Sequence, residues 1–232
     1  MDKITLSVDD GLLVIRIDDG KANVIGTPDL VVLNAALDQA ETDKLPVLIV
    51  GRPGRFCAGF DLAEMAASTD EMRALVKAGA HFLMRVFTFP RPVVAAATGH
   101  SLALGALMLL ASDYRVGAAG PYKVGLNEVA IGMQLPIFGV ELAKARMKPG
   151  DVERSALHST VYDPTQAVEI GFLDELAAEG DVEDTARAHA HRLGALRRGA
   201  FSITKNTIRG TSAAHVLATL DADIATLEGP KL

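Results

Sequence analysis

The sequence predicts an α/β fold in which buried strands alternate with helices. Residues 47–50 and 93–97 are short apolar runs of the kind found in strands that are buried on both faces. Apolar residues recur at helical spacing after Thr27 and again over residues 70–88. Strands and helices that alternate along one chain are typical of an α/β core.

The N-terminal part of the pattern can be divided into elements in order. Residues 4–8 and 12–17 are predicted strands, and Gly11 lies in the turn that joins them. A helix is predicted to begin at Thr27 and Pro28, because threonine followed by proline is typical of a helix N-terminus.

The middle of the chain supplies two predicted loops. Residues 51–59 follow the first buried strand, and residues 99–101 lead from the second one into an apolar helix. Residues 114–116 are predicted to form another strand. From about residue 138 the pattern is mostly helical.

Strand patterns end near residue 180, which suggests two regions. We predict a core over residues 1–180 and a C-terminal helical region over residues 181–232.

Composition limits the class of protein. A chain of 232 residues with 49% hydrophobic residues can bury a core that needs no disulfide or metal, and the single Cys57 allows no internal disulfide. A net charge of −6 without basic clusters argues against nucleic acid or an anionic membrane as a partner. The N-terminus lacks a signal-peptide pattern, and polar residues interrupt the apolar stretch 93–111. We therefore expect a cytoplasmic protein that does not span a membrane.

Three glycine-containing segments follow predicted strands, where ligands usually bind in open α/β sheets. They are residues 51–61, 99–105 and 125–132. Within the third, Glu128 is an isolated acid among apolar residues and glycines. Desolvation raises the pKa of such a carboxyl, which makes it a useful base near neutral pH. A solvated loop glutamate is an equally good interpretation of the residues alone.

A serine hydrolase is a weaker possibility. Ser101 lies in a segment similar to a nucleophile elbow, with His158 and Asp113 as candidate partners, but the second glycine of that motif is absent. We favour a role for Ser101 as the cap of the apolar helix. The scattered histidines form no metal-binding pattern, so we expect no metal site.

Four segments, in this order, resemble the crotonase (enoyl-CoA hydratase/isomerase) superfamily. They read RFCAGFDL at 55–62, a stretch at 99–115 that ends in DYR, GLNE at 125–128 and AVEIGFLD at 167–174. The resemblance extends from the first hairpin to about residue 210. It implies a crotonase-like spiral of ββα units with a C-terminal helical trimerisation region, in a homotrimer or a dimer of trimers.

The resemblance also implies a site for an acyl-CoA thioester, with no separate cofactor. Ala58 and Leu104 fall where the family supplies the two backbone N–H groups of an oxyanion hole, and Glu128 falls at the position of a catalytic acid/base. Leu104 replaces the usual glycine, so its side chain must point away from the thioester. The implied acyl-CoA contacts, of which the last two come from the C-terminal helices of this or a neighbouring subunit, are Lys21, Ala22, Phe56, Ala58, Asp61, Leu62, Phe201 and Lys205.

Leu107 bears on which reaction is predicted. Hydratases of this family use two glutamates, and Leu107 occupies the place of the first. A double-bond shift needs one base only, and residues 113–128 look like the mitochondrial-type Δ3,Δ2-enoyl-CoA isomerases, which also carry leucine there. We therefore predict conversion of 3-enoyl-CoA to 2-enoyl-CoA through an enolate. The alternatives are an enoyl-CoA hydratase that forms 3-hydroxyacyl-CoA, the serine hydrolase, and a non-catalytic acyl-CoA-binding module.

Overall fold

The computed structural model of the chain describes residues 2–229, in which the strands form two sheets. The strands are β1 (Ile4–Asp9), β2 (Leu12–Ile17), β3 (Val47–Val50), β4 (Gly54–Cys57), β5 (Val93–Ala97), β6 (Gly99–Leu102), β7 (Tyr114–Ala118), β8 (Val124–Gly125), β9 (Val161–Tyr162) and β10 (Glu175–Ala177). The first sheet has six strands in the order β1-β2-β3-β5-β7-β10, and the second has four in the order β4-β6-β8-β9. From β3 to β8, consecutive strands therefore alternate between the sheets.

Helices follow the strands and complete repeated ββα units. The helices are α1 (Thr27–Asp43), α2 (Leu62–Ala67), α3 (Thr69–Thr88), α4 (Leu104–Ala111), α5 (Ile137–Lys144), α6 (Pro149–Val152), α7 (Pro164–Ile170), α8 (Val182–Gly194) and α9 (Arg198–Ala225). Successive units are β1-β2-α1, then β3-β4 with α2 and α3, and then β5-β6-α4. The first unit stays in the first sheet, whereas the second and third units each carry the chain from the first sheet to the second and back.

The first sheet is parallel except at its edge. β1 pairs antiparallel with β2, and the other neighbours pair parallel, with Val14 opposite Leu48 and Leu48 opposite Val94. All residues of β3 and β5 are buried, which explains why their sequences are continuous apolar runs. The predicted buried strands are confirmed.

The predicted C-terminal helical region packs on both sides of the core. Val182, Ala186 and Ala190 of α8 are buried in one cluster with Leu12 and Val14 of the first sheet. α9 packs against α3 and α5. Residues 1 and 230–232 of the two predicted regions lie outside the described part of the chain.

The second sheet corrects the predicted loops. β4 and β6 lie inside the segments expected to be loops, and they pair in parallel, with Gly54 opposite Gly99 and Arg55 opposite His100. A Cβ atom on Gly99 would lie 2.0 Å from the carbonyl carbon of Gly54, so only glycine permits this approach. Because these glycines interrupt the alternation of apolar residues, the sequence pattern does not predict the two strands.

The apolar stretch after residue 93 is divided among β5, β6 and α4. All residues of α4 are buried, as predicted for a core helix. Within residues 2–229, no helix combines the length and the apolar character needed to cross a lipid bilayer.

Candidate active site

A cavity of about 290 Å³ lies where the three glycine-containing segments meet. The three segments contribute Ala58, Gly59, Phe60, Ala103, Asn127, Glu128 and Ile131 to its wall. The other lining residues are Ala22, Val24, Leu62, Met65, Val76, Leu107, Met133, Pro136 and Phe138. Among these lining residues, Glu128 alone has a titratable side chain. In residues 2–229, no group of three or more His, Cys, Asp or Glu side chains could hold a metal ion.

Glu128 lies just after β8, at the start of the 3₁₀ turn Val129–Ile131. Its carbonyl accepts from the N–H groups of Ile131 at 3.1 Å and Met133 at 2.9 Å, which fixes the turn. The residue is 9% exposed, and its Oε2 atom is buried without a hydrogen-bond partner in the described part of the chain. Burial raises the pKa of Glu128 to about 7, although its own backbone N–H opposes the shift. The carboxylate is therefore poorly solvated and suited to take a proton at neutral pH.

Asn127 adds a second buried oxygen that sequence reasoning missed. Its Oδ1 atom has no hydrogen-bond partner within residues 2–229, and the residue lines the cavity beside Glu128. An unpaired buried acceptor is costly, so a bound molecule with a donor would satisfy it. The signal available in the sequence was its position next to Glu128.

The first loop corrects the prediction for Ala58. Its N–H donates to the carbonyl of Ala22 at 3.1 Å and is not free to face a thioester oxygen. The Ile25 backbone bonds on either side of Phe60: its N–H donates to Gly59 at 2.9 Å, and its carbonyl accepts from Asp61 at 2.9 Å. The Phe60 N–H therefore points away from Ile25, and it has no partner among the described residues.

The second loop ends at the N-terminus of α4. Ala103 caps this helix with a φ of +48°, and its N–H donates to Gly125 at 3.1 Å. The first helical hydrogen bond runs from the Leu107 N–H to Ala103 at 3.0 Å. The N–H of Leu104 therefore lies in the first turn, where helices have unpaired donors and favour negative charge. The Leu104 side chain is 1% exposed and packs in the core, so it does not block the cavity.

Close packing joins these two loops. A Cβ atom on Gly105 would lie 2.2 Å from the carbonyl oxygen of Cys57, so the second loop contacts the backbone of the first. The Cys57 thiol is fully buried, and burial raises its pKa to about 12, which makes it a poor nucleophile.

Two predicted acyl-CoA contacts have other roles in the structure. Phe56 is fully buried in the core and is not part of the cavity wall. Asp61 is the N-cap of α2, where its carboxylate accepts from the N–H groups of Ala63 at 2.8 Å and Glu64 at 3.4 Å. The prediction for the Phe56 side chain is wrong, because that side chain is part of the core. An acyl-CoA contact of Asp61 stays a prediction, although its carboxylate already serves as a helix cap.

Other predicted contacts do lie at the cavity. Ala22 and Leu62 line it, and Leu62 is 56% exposed at its edge. Lys21 precedes Ala22 on an exposed loop, where its carbonyl accepts from the Arg52 Nε atom at 2.8 Å. A contact between Lys21 and a phosphate stays a prediction.

Phe201 and Lys205 line a different cavity, which shares no residue with the one around Glu128. The Lys205 ammonium group is buried and donates to Asp113 at 2.7 Å. Their predicted contribution to the Glu128 site of the same chain is therefore wrong. A contribution to a neighbouring subunit stays a prediction.

The structure also contradicts the serine hydrolase. Ser101 is buried on β6, where its hydroxyl donates to the Gly99 carbonyl at 3.2 Å. His158 is exposed, and the Asp113 carboxylate pairs with Lys205. No hydrogen bond joins the three candidate side chains within residues 2–229. Ser101 does not cap α4 either, because Ala103 does.

Comparison with known proteins shows similarity along nearly the whole chain. The model of the family described as enoyl-CoA hydratase/isomerase matches residues 7–230. The Mus musculus protein named enoyl-CoA delta isomerase 1, mitochondrial, is 29% identical over 219 residues, which are 92% of this chain and 76% of that protein.

Solved structures agree with this match. One of an enoyl-CoA hydratase/isomerase family protein from Pseudomonas syringae has a TM-score of 0.94 at 35% identity and covers 97% of this chain and 98% of that one. One of an enoyl-CoA hydratase from Mycobacterium marinum has a TM-score of 0.91 at 34% identity and covers 97% and 99%. They confirm the predicted crotonase fold class. The chain belongs to the enoyl-CoA hydratase/isomerase family of the crotonase superfamily.

Proposed function

We propose that this protein is a Δ3,Δ2-enoyl-CoA isomerase, which shifts the double bond of a 3-enoyl-CoA thioester to the 2-position. The observation that carries the proposal is that Glu128 is the single titratable side chain among the described residues that line the cavity. One base is sufficient for this reaction, because the proton removed from C2 can be returned at C4. The name of the mouse relative supports the same reaction.

The proposed mechanism places the thioester oxygen between two backbone donors. We assign these donors to the N–H groups of Phe60 and Leu104. Removal of the C2 proton by the Glu128 carboxylate leaves a dienolate whose negative charge lies largely on that oxygen. The two donors and the N-terminus of α4 stabilise the charge, and the neutral glutamic acid then protonates C4.

The apolar wall serves the same chemistry. Met65, Val76 and Leu107 line the cavity and offer the acyl chain an apolar surface. A water-poor surrounding also keeps the pKa of Glu128 near neutrality, so that the carboxylate can take a proton and the acid can return it.

One observation favours hydration as a second candidate activity. The unpartnered Asn127 Oδ1 atom lines the cavity beside Glu128, and a water molecule between two acceptors would satisfy both. Such a water could add to a 2-enoyl-CoA. The name of the M. marinum relative, an enoyl-CoA hydratase, supports this second candidate.

Turnover of two substrates separates these functions. We expect 3-hexenoyl-CoA to give 2-hexenoyl-CoA, seen as rising absorbance of the conjugated thioester, at a rate far above hydration of 2-hexenoyl-CoA. Faster hydration would make the protein a hydratase. Binding of both thioesters without turnover or C2 deuterium exchange would indicate a binding module. Glu128→Gln is the control for base-dependent turnover.

The homotrimer or dimer of trimers that the resemblance implies is also a proposal. Light scattering on the purified protein measures the number of subunits. The cytoplasmic location is likewise a proposal, which fractionation of the native cells tests.

A further inference from the structure

A second and larger cavity, of about 680 Å³, lies between the start of α9 and the ends of α5 and α8. It shares no lining residue with the cavity around Glu128. Among the described residues, its wall carries one carboxylate, that of Asp113, and several cationic side chains. The cations are Lys144, Arg146, Arg197, Lys205 and Arg209. Positive charge is thus concentrated here on a protein whose net charge is −6.

The one carboxylate is already shared between two cations. Asp113 accepts from Lys205 at 2.7 Å and pairs with Arg209 at 2.9 Å, and its side chain is 7% exposed. It also accepts from the Val93 N–H at 2.8 Å. A single negative charge can balance only one of the two cations.

Arg146 adds a third cation without a carboxylate partner in residues 2–229. Its guanidinium donates to two carbonyl oxygens, those of Leu110 at 3.0 Å and Ser112. The nearby Asp174 carboxylate is already paired with Arg115 through two bonds of 2.7 Å. Arg146, Lys205 and Arg209 therefore exceed Asp113 by two positive charges, in a setting that is largely buried.

The pKa shifts agree with this excess. Burial, together with the positive charges of Arg115 and Arg209, lowers the pKa of Arg146 to about 9. Burial lowers the pKa of Lys205 to about 8, although Asp113 opposes the shift. Buried cations that lack anionic partners are stabilised most by an added anion.

We propose that this cavity binds the phosphate group of a small organic phosphate monoester. A phosphate monoester carries a charge of about −1.5 to −2 at pH 7, which matches the excess of two positive charges. The planar guanidinium groups of Arg146 and Arg209 suit phosphate oxygens. The cavity is far larger than a phosphate alone, and Phe201, Leu196 and Ile208 offer an apolar wall for the organic part.

Calorimetric titration with phenyl phosphate at pH 7 and low salt tests the proposal. We expect saturable binding at one site per chain, and none of phenol, which lacks the charge. Arg146→Gln removes one cation and should weaken binding about tenfold or more. Glu128→Gln changes only the other cavity and should bind phenyl phosphate as the wild type does.

A second variant, which should gain affinity, keeps the proposal testable if Arg146→Gln does not fold. Asp113→Asn keeps an acceptor for the Val93 N–H but removes the competing negative charge, so phenyl phosphate should bind more tightly. A merely structural role for the cluster predicts no such gain. Thermal unfolding checks that each variant is folded.

Further titrations identify the source of the phosphate, and several results would overturn the proposal. If adenosine 3′-phosphate binds as tightly as phenyl phosphate, the monoester is assigned as a nucleotide. No binding by the folded wild type, or equal binding by wild type and Arg146→Gln, overturns the proposal. So does displacement of phenyl phosphate by hexanoyl-pantetheine, a phosphate-free thioester meant for the Glu128 cavity. In another outcome, the wild type assembles and fails to bind phenyl phosphate, while light scattering shows that Arg146→Gln changes the number of subunits. That pair of results shows instead that a second copy of the chain fills the cavity.

Discussion

Gly59 and Ala103 meet at the point where two loops of the active site come together. A Cβ atom on Gly59 would lie 3.3 Å from the Cβ atom of Ala103. Their φ angles are +119° and +48°, both in the region that non-glycine residues rarely adopt. The next residues along the chain, Phe60 and Leu104, carry the proposed donors. A glycine at a positive φ and a strained Ala103 in two packed loops therefore position both N–H groups.

Replacement of Gly59 by alanine should damage turnover more than stability. The added Cβ atom presses on Ala103 and shifts the loop that carries the Phe60 N–H, and loss of one such donor costs about 10²–10³-fold in kcat. Gly54→Ala is the matched control, because Gly54 also has a positive φ but no atom within 4 Å of the added Cβ. We expect similar falls in Tm and a fall in kcat of at least about tenfold for Gly59→Ala alone. Equal kcat values for the two variants would contradict the donor assignment.

The pH dependence of kcat/KM should report Glu128. Burial raises its pKa to about 7, and the ionised form is the base. Activity should therefore rise about tenfold per pH unit below that value and level off above it. Steady-state rates with 3-hexenoyl-CoA between pH 5 and pH 9 measure the profile. A flat profile across pH 5 to 8 would show that another group acts as the base.

Stability should depend on pH through the same residue. The pKa of Glu128 rises from its ordinary 4.5 to about 7 on folding, so the folded state binds more protons between those values. Its stabilising contribution is complete below pH 4.5 and is lost as the pH rises through 7. Between pH 4.5 and 8 the wild type should lose roughly 3 kcal/mol relative to Glu128→Gln. Urea unfolding of both proteins at a series of pH values measures this difference, and parallel curves would argue against a buried carboxylate.

The change Leu107→Glu should introduce weak hydratase activity. Leu107 lines the cavity with Glu128, so a second acid there could act on a water molecule. The new carboxyl would be buried at a cost of about 1–3 kcal/mol in unfolding free energy. Leu107→Gln is the control, since it has a similar shape without acid/base capacity. Chromatography of 3-hydroxyhexanoyl-CoA formed from 2-hexenoyl-CoA gives the answer, and equal amounts from both variants would refute this role for a second acid.

Elements with strong apolar patterns were predictable from sequence. Burial on both faces gives β3 and β5 their continuous apolar runs, and α3 spans the predicted helix closely. β4 and β6 were not predictable in this way, because they are short and their pairing depends on contact between glycine backbones. Such contact leaves no periodic signal in the sequence.

The acidic residue of the site was predictable from the sequence, but the first backbone N–H donor of the oxyanion hole was not. Glu128 stands alone among apolar neighbours, and its environment follows from that pattern. The donor assignment depends on which N–H groups the neighbouring chain uses. Ala22 takes the N–H of Ala58, and the pairing of Ile25 leaves that of Phe60 free. These partners are more than 30 residues away in sequence, beyond the reach of a local pattern.

The partner of the charged Lys205 side chain was likewise not predictable from the sequence. Its sequence position is compatible with either a phosphate contact or a buried ion pair. Only the fold brings Asp113 to within 2.7 Å of its ammonium group. Whether the residual positive charge there recruits an anion is a question for the phosphate titration.

The central claim is that Glu128 alone moves the proton from C2 to C4. The most direct measurement is single-turnover conversion of 3-hexenoyl-CoA by wild type and by Glu128→Gln, with thioester binding measured in parallel. Glutamine keeps the size of the side chain and removes its basicity, so the rate should fall by about 10²–10⁴-fold while binding is nearly unchanged. A Glu128→Gln protein that isomerises the substrate at a near-normal rate would contradict the mechanism.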